Sequence, residues 1–343
     1  RRQRQMCIRD SSCWVLAVFR SRARWSNLPC VFYRPVIRAA AAISLAAACF
    51  SVAGCAGDTA RLRTAITTQP DAPEDIVREV EPWSDPAIER RQMTSAGLKR
   101  DYILSVPRGA KQRDRLPLIL VFHGYKEDAD RIMQHSQLDK ADAVVAFMDG
   151  VGEAWAPAPY AETSGEQDLA FVDDVLDQLE GEYSIDRTRI FAAGFSNGGG
   201  FAAFVGCQRP QEFSGVATVA GAFYQRVAEG CSSIPMKHVD FHGTADPIIS
   251  YDGGERHETV YNSTPEMLEE AAVRNHCAGR REDVELSHTV TKLSWDDCDA
   301  ALSHYRIDGG PHVWPGGTSD NTGLVSKGFA TRTLLEFLGV GMS

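Results

Sequence analysis

The sequence predicts an α/β protein built on a mostly parallel sheet with helices on both faces. Nearly continuous apolar runs, such as 116–122 and 144–147, alternate with amphipathic segments of helical length. Strands that are buried on both faces of a parallel sheet have this composition. The alternation continues without an internal repeat, which indicates one domain over residues 89–343.

The elements follow one another in a regular order. Strands are short runs rich in branched and aromatic side chains, and they are predicted at 102–106, 116–122, 144–147, 189–194, 215–219, 239–241 and 303–307. Helices are segments with apolar residues on one face, and they are predicted at 128–142, 169–179, 198–207, 265–275 and 324–338. A sheet covered on both faces requires this interleaving of strand and helix.

The first 54 residues differ in charge from the rest of the chain. They hold nine arginines and one acid, Asp10, for a net charge of +8, whereas the whole chain carries −10. Residues 55–343 therefore carry −18, which argues against nucleic-acid binding because that function needs a basic face. The hydrophobic fraction of 43% excludes a wholly disordered chain.

A short apolar run follows Arg38 and is too short to span a bilayer as a helix. It ends in residues 52–55 (VAGC), which resemble a bacterial lipobox. This resemblance implies a lipoprotein signal peptide over 36–54, lipid on Cys55, and attachment of the mature protein to a membrane of the bacterial cell envelope. The alternatives are a plain secretory signal, with an extracellular product, or a short buried helix.

Two further segments lie outside the predicted domain. Residues 1–11 resemble the in-frame translation of a sequencing-library adapter, and we expect 1–35 to be non-native upstream translation, with Val36 as the natural start. A genuine cytoplasmic extension is the alternative. Residues 55–88 are polar and contain four prolines, a composition typical of a tether.

Four of the nine cysteines lie in the predicted domain, namely Cys207, Cys231, Cys277 and Cys298. An oxidising compartment would let them form two disulfides. Three pairings are possible, and the sequential one, 207 with 231 and 277 with 298, closes the shortest loops. Zinc binding is the alternative, but no Cys-x-x-Cys spacing supports it, and no metal site is predicted.

Three segments carry residues for nucleophilic catalysis. Residues 194–198 (GFSNG) stand between a predicted strand and a predicted helix and match the G-x-S-x-G turn that exposes a serine, here Ser196. A serine hydroxyl needs a base, and His312, on a glycine-rich loop after the last predicted strand, is the candidate. Asp246 in another loop would orient that histidine, with Asp240 as the weaker alternative. The order serine, aspartate, histidine is that of the α/β-hydrolase fold, which we therefore expect.

The expected α/β-hydrolase fold also indicates which residues bind the oxyanion and which line the substrate pocket. The backbone N–H groups of Asn197, directly after the nucleophile, and of Tyr125, in an early loop, are the expected oxyanion donors. Trp155 and Trp314 are candidate pocket walls, the second because it lies two residues after His312. The alternative for either tryptophan is a place in the core.

Six pieces of the sequence together carry a resemblance to a known family. They are residues 123–125 (HGY), Trp155, 165–172 (GEQDLAFV), 194–199 (GFSNGG), 241–246 (FHGTAD) and 309–316 (GGPHVWPG). They resemble the polyhydroxybutyrate depolymerase and feruloyl esterase-like family of secreted α/β-hydrolases. The resemblance implies hydrolysis, without a cofactor, of hydroxyalkanoate, hydroxycinnamoyl or acetyl esters. The charged continuation 125–128 (YKED) is unusual, so soluble or oligomeric esters are expected rather than a solid polyester.

Two other functions remain open, and the oligomeric state is not predicted. A serine peptidase of the same fold would release product from amide but not ester substrates. A catalytically inactive, lipid-anchored binding protein would not react at Ser196 with a fluorophosphonate. The complete set of Ser196, Asp246 and His312 argues against the inactive protein. Peptidases of this architecture usually carry an extra propeller or cap domain, for which this chain has no room, so the esterase is favoured.

Overall fold

A ten-stranded mixed sheet organises residues 85–343, the part of the chain that the computed structural model describes. The predicted upstream segment 1–35, the signal 36–54, Cys55 and nearly all of the tether 55–88 lie outside these residues. The first strand begins at Ala87, two residues before the domain boundary expected from the sequence. No helix in the described part is long and apolar enough to cross a membrane.

The strands are β1 (Ala87–Ser95), β2 (Leu98–Val106), β3 (Leu116–Phe122), β4 (Val144–Met148), β5 (Ile185–Phe195), β6 (Gly215–Val219), β7 (Lys237–Gly243), β8 (Gly254–Arg256), β9 (Thr259–Tyr261), β10 (Arg281–Ser287), β11 (Val290–Trp295) and β12 (Leu302–Ile307). The helices are α1 (Ala129–Ser136), α2 (Gly165–Glu182), α3 (Asn197–Gln208), α4 (Thr264–Arg274) and α5 (Phe329–Leu338). All seven predicted strands and all five predicted helices are present; β3 and β6 have the predicted ends, and the ends of the other elements are shifted.

The order across the sheet is β1-β2-β4-β3-β5-β6-β7-β12-β11-β10. The run from β4 to β12 is parallel throughout. Antiparallel strands extend both edges, β2 and β1 beyond β4 and β11 and β10 beyond β12. The strands β8 and β9 form a separate hairpin. The predicted class, a mostly parallel sheet with helices, is confirmed.

Both faces of the sheet are buried, as the apolar runs require. Along β3, Leu118 and Leu120 pack into one core with side chains of α2, α3 and α4. The alternate residues Ile119 and Val121 pack into a second core with side chains of α1 and α5. Successive side chains of a strand point to opposite faces, so one continuous apolar run supplies both cores.

Local backbone geometry explains where the helix ends differ from the prediction. The first helix stops at Ser136 because Gln137 adopts a left-handed conformation with φ 53°. The last helix begins at Phe329, after Gly328 at φ 70°, and not at 324. The second helix begins earlier than predicted, at Gly165, because Ser164 caps its first turn.

Two disulfides join Cys207 to Cys231 and Cys277 to Cys298. The sequential pairing is therefore confirmed, and the zinc alternative is wrong for these four cysteines. Within residues 85–343, no group of three or more His, Cys, Asp or Glu side chains is placed to hold a metal ion. Disulfides persist in oxidising compartments, so this pairing is consistent with export.

Candidate active site

The three residues expected to carry the chemistry lie on loops at one edge of the sheet. Ser196 directly follows β5, Asp246 follows β7, and His312 follows β12. These strands belong to the parallel run, so their carboxyl ends lie at the same edge. Ligand sites of open α/β sheets form outside the carboxyl ends of the strands.

Ser196 occupies a sharp strand-to-helix turn with φ 55° and ψ −118°, a strained conformation for a residue with a side chain. Two glycines make this turn possible. A Cβ on Gly194 would lie 2.0 Å from the carbonyl oxygen of Gly198, and a Cβ on Gly198 would lie 2.2 Å from that of Phe122. The G-x-S-x-G spacing is therefore a packing requirement of the turn.

His312 and Asp246 form a direct pair. His312 Nδ1 lies 2.6 Å from Asp246 Oδ2, and the aspartate side chain is fully buried. The other oxygen, Oδ1, accepts from the backbone N–H groups of Ile248 and Ile249 at 2.8 and 2.9 Å. Burial opposes ionisation of Asp246, but hydrogen bonds from His242 and His312 hold its pKa well below the usual range.

Ser196 and His312 line the same cavity, of about 340 Å³. The His312 ring packs on Phe195, with ring centroids 4.8 Å apart. Within the described residues, the Ser196 hydroxyl makes no hydrogen bond, to His312 or to any other group. Contacts of this kind are often long in enzymes without substrate and shorten in the complex.

Asp240, the weaker alternative for the acid, belongs to a different network. It lies inside β7, where it accepts from Thr218 Oγ1 at 2.5 Å and pairs with His304 Nδ1 at 2.8 Å. The carboxylate that contacts His312 is therefore that of Asp246.

The two expected oxyanion donors have no hydrogen-bond acceptor within the described residues. Within the described part of the chain, neither the Asn197 N–H, at the start of α3, nor the Tyr125 N–H donates to another backbone or side-chain group. The Asn197 side chain accepts from the Trp155 N–H at 2.8 Å and donates to its carbonyl at 3.0 Å, which fixes the start of α3. His123, two residues before Tyr125, is held by the Gly150 N–H, from which its Nε2 accepts at 2.9 Å, and its Nδ1 lies 2.7 Å from the Gly124 carbonyl oxygen.

The cavity has an aromatic wall that consists of Tyr125, Tyr160 and His257. The ring centroids of Tyr125 and Tyr160 lie 4.0 Å apart, and those of Tyr160 and His257 lie 4.6 Å apart. Burial raises the pKa of Tyr160, so its hydroxyl remains protonated. Two exposed cations, Lys126 and Arg256, also line this cavity.

The expectation that Trp155 and Trp314 form pocket walls is wrong. The exposed fraction of Trp155 is 0% and that of Trp314 is 2%, and neither lines the cavity. Trp155 stacks on Phe201 at 4.9 Å, and Trp314 donates through Nε1 to Thr331 at 3.0 Å. Both large apolar side chains are in the core because burial removes more of their surface from water than a pocket rim would.

His257 and the hairpin that carries it are not predicted from the sequence. The central residues of the β8–β9 turn, His257 and Glu258, have φ 54° and 57°, although such turns normally use asparagine and glycine. No turn signal therefore marks this hairpin in the sequence. Strained backbone gathers at functional sites, but this strain is visible only in the folded chain.

Another buried pair supports the loop beneath the cavity. Arg100 and Asp168 are both fully buried, and Arg100 Nη1 lies 2.8 Å from Asp168 Oδ1. The second oxygen of Asp168 accepts from the Ala156 N–H at 2.9 Å and from Thr163 Oγ1 at 2.8 Å. Asp168 thus stabilises the loop that contains Trp155.

Comparison with known proteins gives a consistent result. The sequence profile of the esterase PHB depolymerase family matches residues 100–267. NocK of Nocardia uniformis subsp. tsuyamanensis, which is named as an esterase, is 31% identical over 268 residues, 70% of this chain and 78% of that protein. Feruloyl esterase C of Emericella nidulans is 27% identical over 207 residues, 57% of this chain and 75% of that protein.

Two solved structures share the fold. The acetyl xylan esterase from Aspergillus awamori has a TM-score of 0.55 at 13% identity, over 73% of this chain and 99% of that one. Thermogutta terrifontis esterase 2 has a TM-score of 0.51 at 14% identity, over 74% of this chain and 94% of that one. The family match and the similarity to NocK show that this chain belongs to the esterase PHB depolymerase family, carboxylic ester hydrolases of the α/β-hydrolase fold.

Proposed function

We propose that the protein hydrolyses carboxylic esters through Ser196 as nucleophile, His312 as general base and Asp246 as the acid that orients His312. The N–H groups of Asn197 and Tyr125 hold the oxyanion. One observation carries this proposal. A buried carboxylate and His312 Nδ1 meet at 2.6 Å, beside the same cavity into which the strained turn presents Ser196.

The proposed chemistry has two halves. With Nδ1–H donated to Asp246, the lone pair of His312 is on Nε2 and can take the Ser196 proton as Oγ attacks the ester carbonyl carbon. The tetrahedral intermediate collapses as His312 gives the proton to the departing alcohol, which leaves an acyl-enzyme. Water, activated by the same nitrogen, then releases the acid and restores Ser196.

The cavity suggests which esters enter. The Tyr125, Tyr160 and His257 rings form an apolar wall suited to a planar or short acyl group, such as hydroxycinnamoyl, acetyl or a hydroxyalkanoate unit. The relatives named as feruloyl esterase C and the neighbour named as acetyl xylan esterase support the first two. The proposed substrates are soluble or oligomeric esters.

The test replaces the nucleophile. Ser196→Ala should lower kcat on p-nitrophenyl acetate by about 10⁴-fold or more, because the three residues act as a unit. Ser319→Ala, a change at an exposed serine outside the cavity, is the matched control and should leave kcat unchanged. Retention of wild-type activity by Ser196→Ala would refute the proposal. Comparing kcat/KM for feruloyl, acetyl-xylan and 3-hydroxybutyrate oligomer esters would then identify the acyl group.

We also propose that the mature protein is exported, begins at a lipidated Cys55 and is tethered to the membrane by residues 55–88. The VAGC sequence and the two disulfides support this proposal. In a bacterial host, Cys55→Ala should move the protein out of the membrane fraction and abolish incorporation of labelled palmitate. Equal membrane binding by both forms would contradict the anchor.

A further inference from the structure

A second cavity, of about 380 Å³, lies between α3, α4 and the loop closed by the Cys207–Cys231 disulfide. Its lining is largely apolar and includes Ala203, Phe223, Val227, Met267 and Ala271. Of the residues that the structure describes, only Tyr224 lines both this cavity and the one at Ser196. Cavities of this size and composition are typical of small-molecule sites, in which a few polar groups fix the orientation of the ligand.

The first polar group is Arg274, in the last turn of α4. Within residues 85–343, its guanidinium makes no hydrogen bond and no ion pair, and its Nε and Nη2 atoms are buried. Burial lowers the pKa of Arg274, with no acid close enough to compensate. Glu270 also lines the cavity, but its carboxylate accepts from Asn262 at 3.2 Å and forms no pair with Arg274. A buried, uncompensated cation is costly, and an oxyanion would satisfy it.

The second polar group is His238, which is 2% exposed. Thr218 donates to Asp240 at 2.5 Å, so the 2.9 Å contact between Thr218 Oγ1 and His238 Nε2 must be donated by the histidine. Burial and the charge of Arg274 lower the pKa of His238 to about 3, so the ring is neutral at pH 7. Its Nδ1 atom therefore has a lone pair, and no described residue donates to it. That atom requires a donor.

We propose that this cavity binds a hydroxy monocarboxylate with an apolar body. The carboxylate pairs with Arg274, the hydroxyl donates to His238 Nδ1, and the carbon chain lies against the apolar lining. A simple fatty acid would leave Nδ1 without a donor, and an inorganic phosphate would leave the apolar lining uncovered. The site is separate from the catalytic cavity and requires no bond to form or break.

The test is calorimetric titration of the full protein with 3-hydroxyoctanoate, octanoate and 1,3-octanediol. The hydroxy acid should bind, and the diol should bind at least about tenfold more weakly, because a hydrogen bond to a charged group is worth more than a neutral one. Arg274→Gln should weaken binding of the hydroxy acid at least about tenfold. Arg226→Gln removes the same charge at an exposed position outside the cavity and should change nothing.

A second variant tests the hydroxyl contact. His238→Gln retains an N–H that can reach Thr218 but removes the Nδ1 acceptor. The wild-type protein should prefer 3-hydroxyoctanoate over octanoate by about fivefold, and His238→Gln should abolish that preference. Because the buried guanidinium makes no hydrogen bond or ion pair within residues 85–343, Arg274→Gln should unfold at the wild-type temperature or above. Absence of binding to the wild type, equal binding by Arg274→Gln, or an unchanged preference in His238→Gln would overturn the proposal.

Discussion

His242 Nε2 lies 3.4 Å from Asp246 Oδ2, the same oxygen that accepts from His312 Nδ1. Two histidines thus converge on one buried carboxylate. His242 is held on both sides, because its Nε2 lies 2.9 Å from the Ile249 carbonyl oxygen and its Nδ1 lies 2.9 Å from Thr264 Oγ1. We infer that His242 positions Asp246 and that it does not contact the substrate.

Removing this support should slow the reaction without weakening substrate binding. His242→Ala should lower kcat on p-nitrophenyl acetate by roughly tenfold to a hundredfold with little change in KM, because a small displacement of Asp246 misaligns His312. His242→Gln keeps a donor near Asp246 and should recover most of the rate. Similar losses in both variants, or a loss confined to KM, would contradict the positioning role.

The same pair predicts how stability depends on pH. Burial opposes protonation of His242, but its hydrogen bond with Asp246 and the charge of Asp240 raise its pKa above the ordinary 6.5. Its contribution to the free energy of unfolding is therefore fully present below pH 6.5 and is lost as the pH rises through the raised value. The pKa of Asp246 is lowered, so its contribution is present above the ordinary 3.8 and is lost as the pH falls.

Urea unfolding of the wild type between pH 5 and 9 should accordingly show stability falling on the alkaline side. In His242→Gln, which cannot titrate in this range, that decline should become smaller. An identical alkaline slope in the two proteins would assign the decline to other groups.

How far the sequence predicts the fold depends on burial. The central strands, such as β3, are recognisable because both faces are buried and every residue is apolar. The edge strands β1 and β10 are not predicted from the sequence, and neither is β11, the neighbour of β10. Every residue of β10 is exposed, and β1 is exposed along most of its length, so neither has the apolar pattern of a strand. Their pairing with β2 and β11 depends on tertiary contacts that a local pattern does not contain.

Some residues of the candidate site can likewise be predicted from a local sequence pattern, and others cannot. Ser196 could be predicted because the geometry of its turn demands glycines at fixed positions, and Asp246 and His312 because of their loops and their order. The position of Trp155 could not be predicted, because an aromatic residue near a motif can lie in the wall of a pocket or in the core. The His257 hairpin is polar and short, and only the folded chain shows that it lies at the cavity.

The strand-to-helix turn at Ser196 should tolerate no side chain at its first glycine, Gly194. In Gly194→Ala, the new Cβ would meet the Gly198 carbonyl oxygen at 2.0 Å, against backbone that cannot move freely. We expect a loss of at least about 2 kcal/mol in the free energy of unfolding, together with loss of esterase activity.

The matched control is Gly181→Ala, where a Cβ would meet nothing within 4 Å inside α2. Because alanine favours a helix over glycine, this variant should gain up to about 1 kcal/mol and retain full activity. Urea unfolding and p-nitrophenyl acetate hydrolysis measure both variants. A stable, active Gly194→Ala protein would show that the turn is more adaptable than its geometry indicates.

The aromatic wall should determine which acyl groups bind. Tyr160 contacts both Tyr125 and His257, so Tyr160→Ala removes the centre of the wall. Stacking on an aromatic ring contributes about 1 kcal/mol beyond area burial, and we expect KM for methyl ferulate to rise about tenfold once the lost buried area is included. The KM for p-nitrophenyl acetate should change little, because its acetyl group is too small to pack against all three rings of the aromatic wall. The control is Tyr183→Phe, which alters a tyrosine directly after the C-terminal end of α2, outside the cavity. If Tyr160→Ala slows both esters equally, the wall supports the fold of the site and does not select the acyl group.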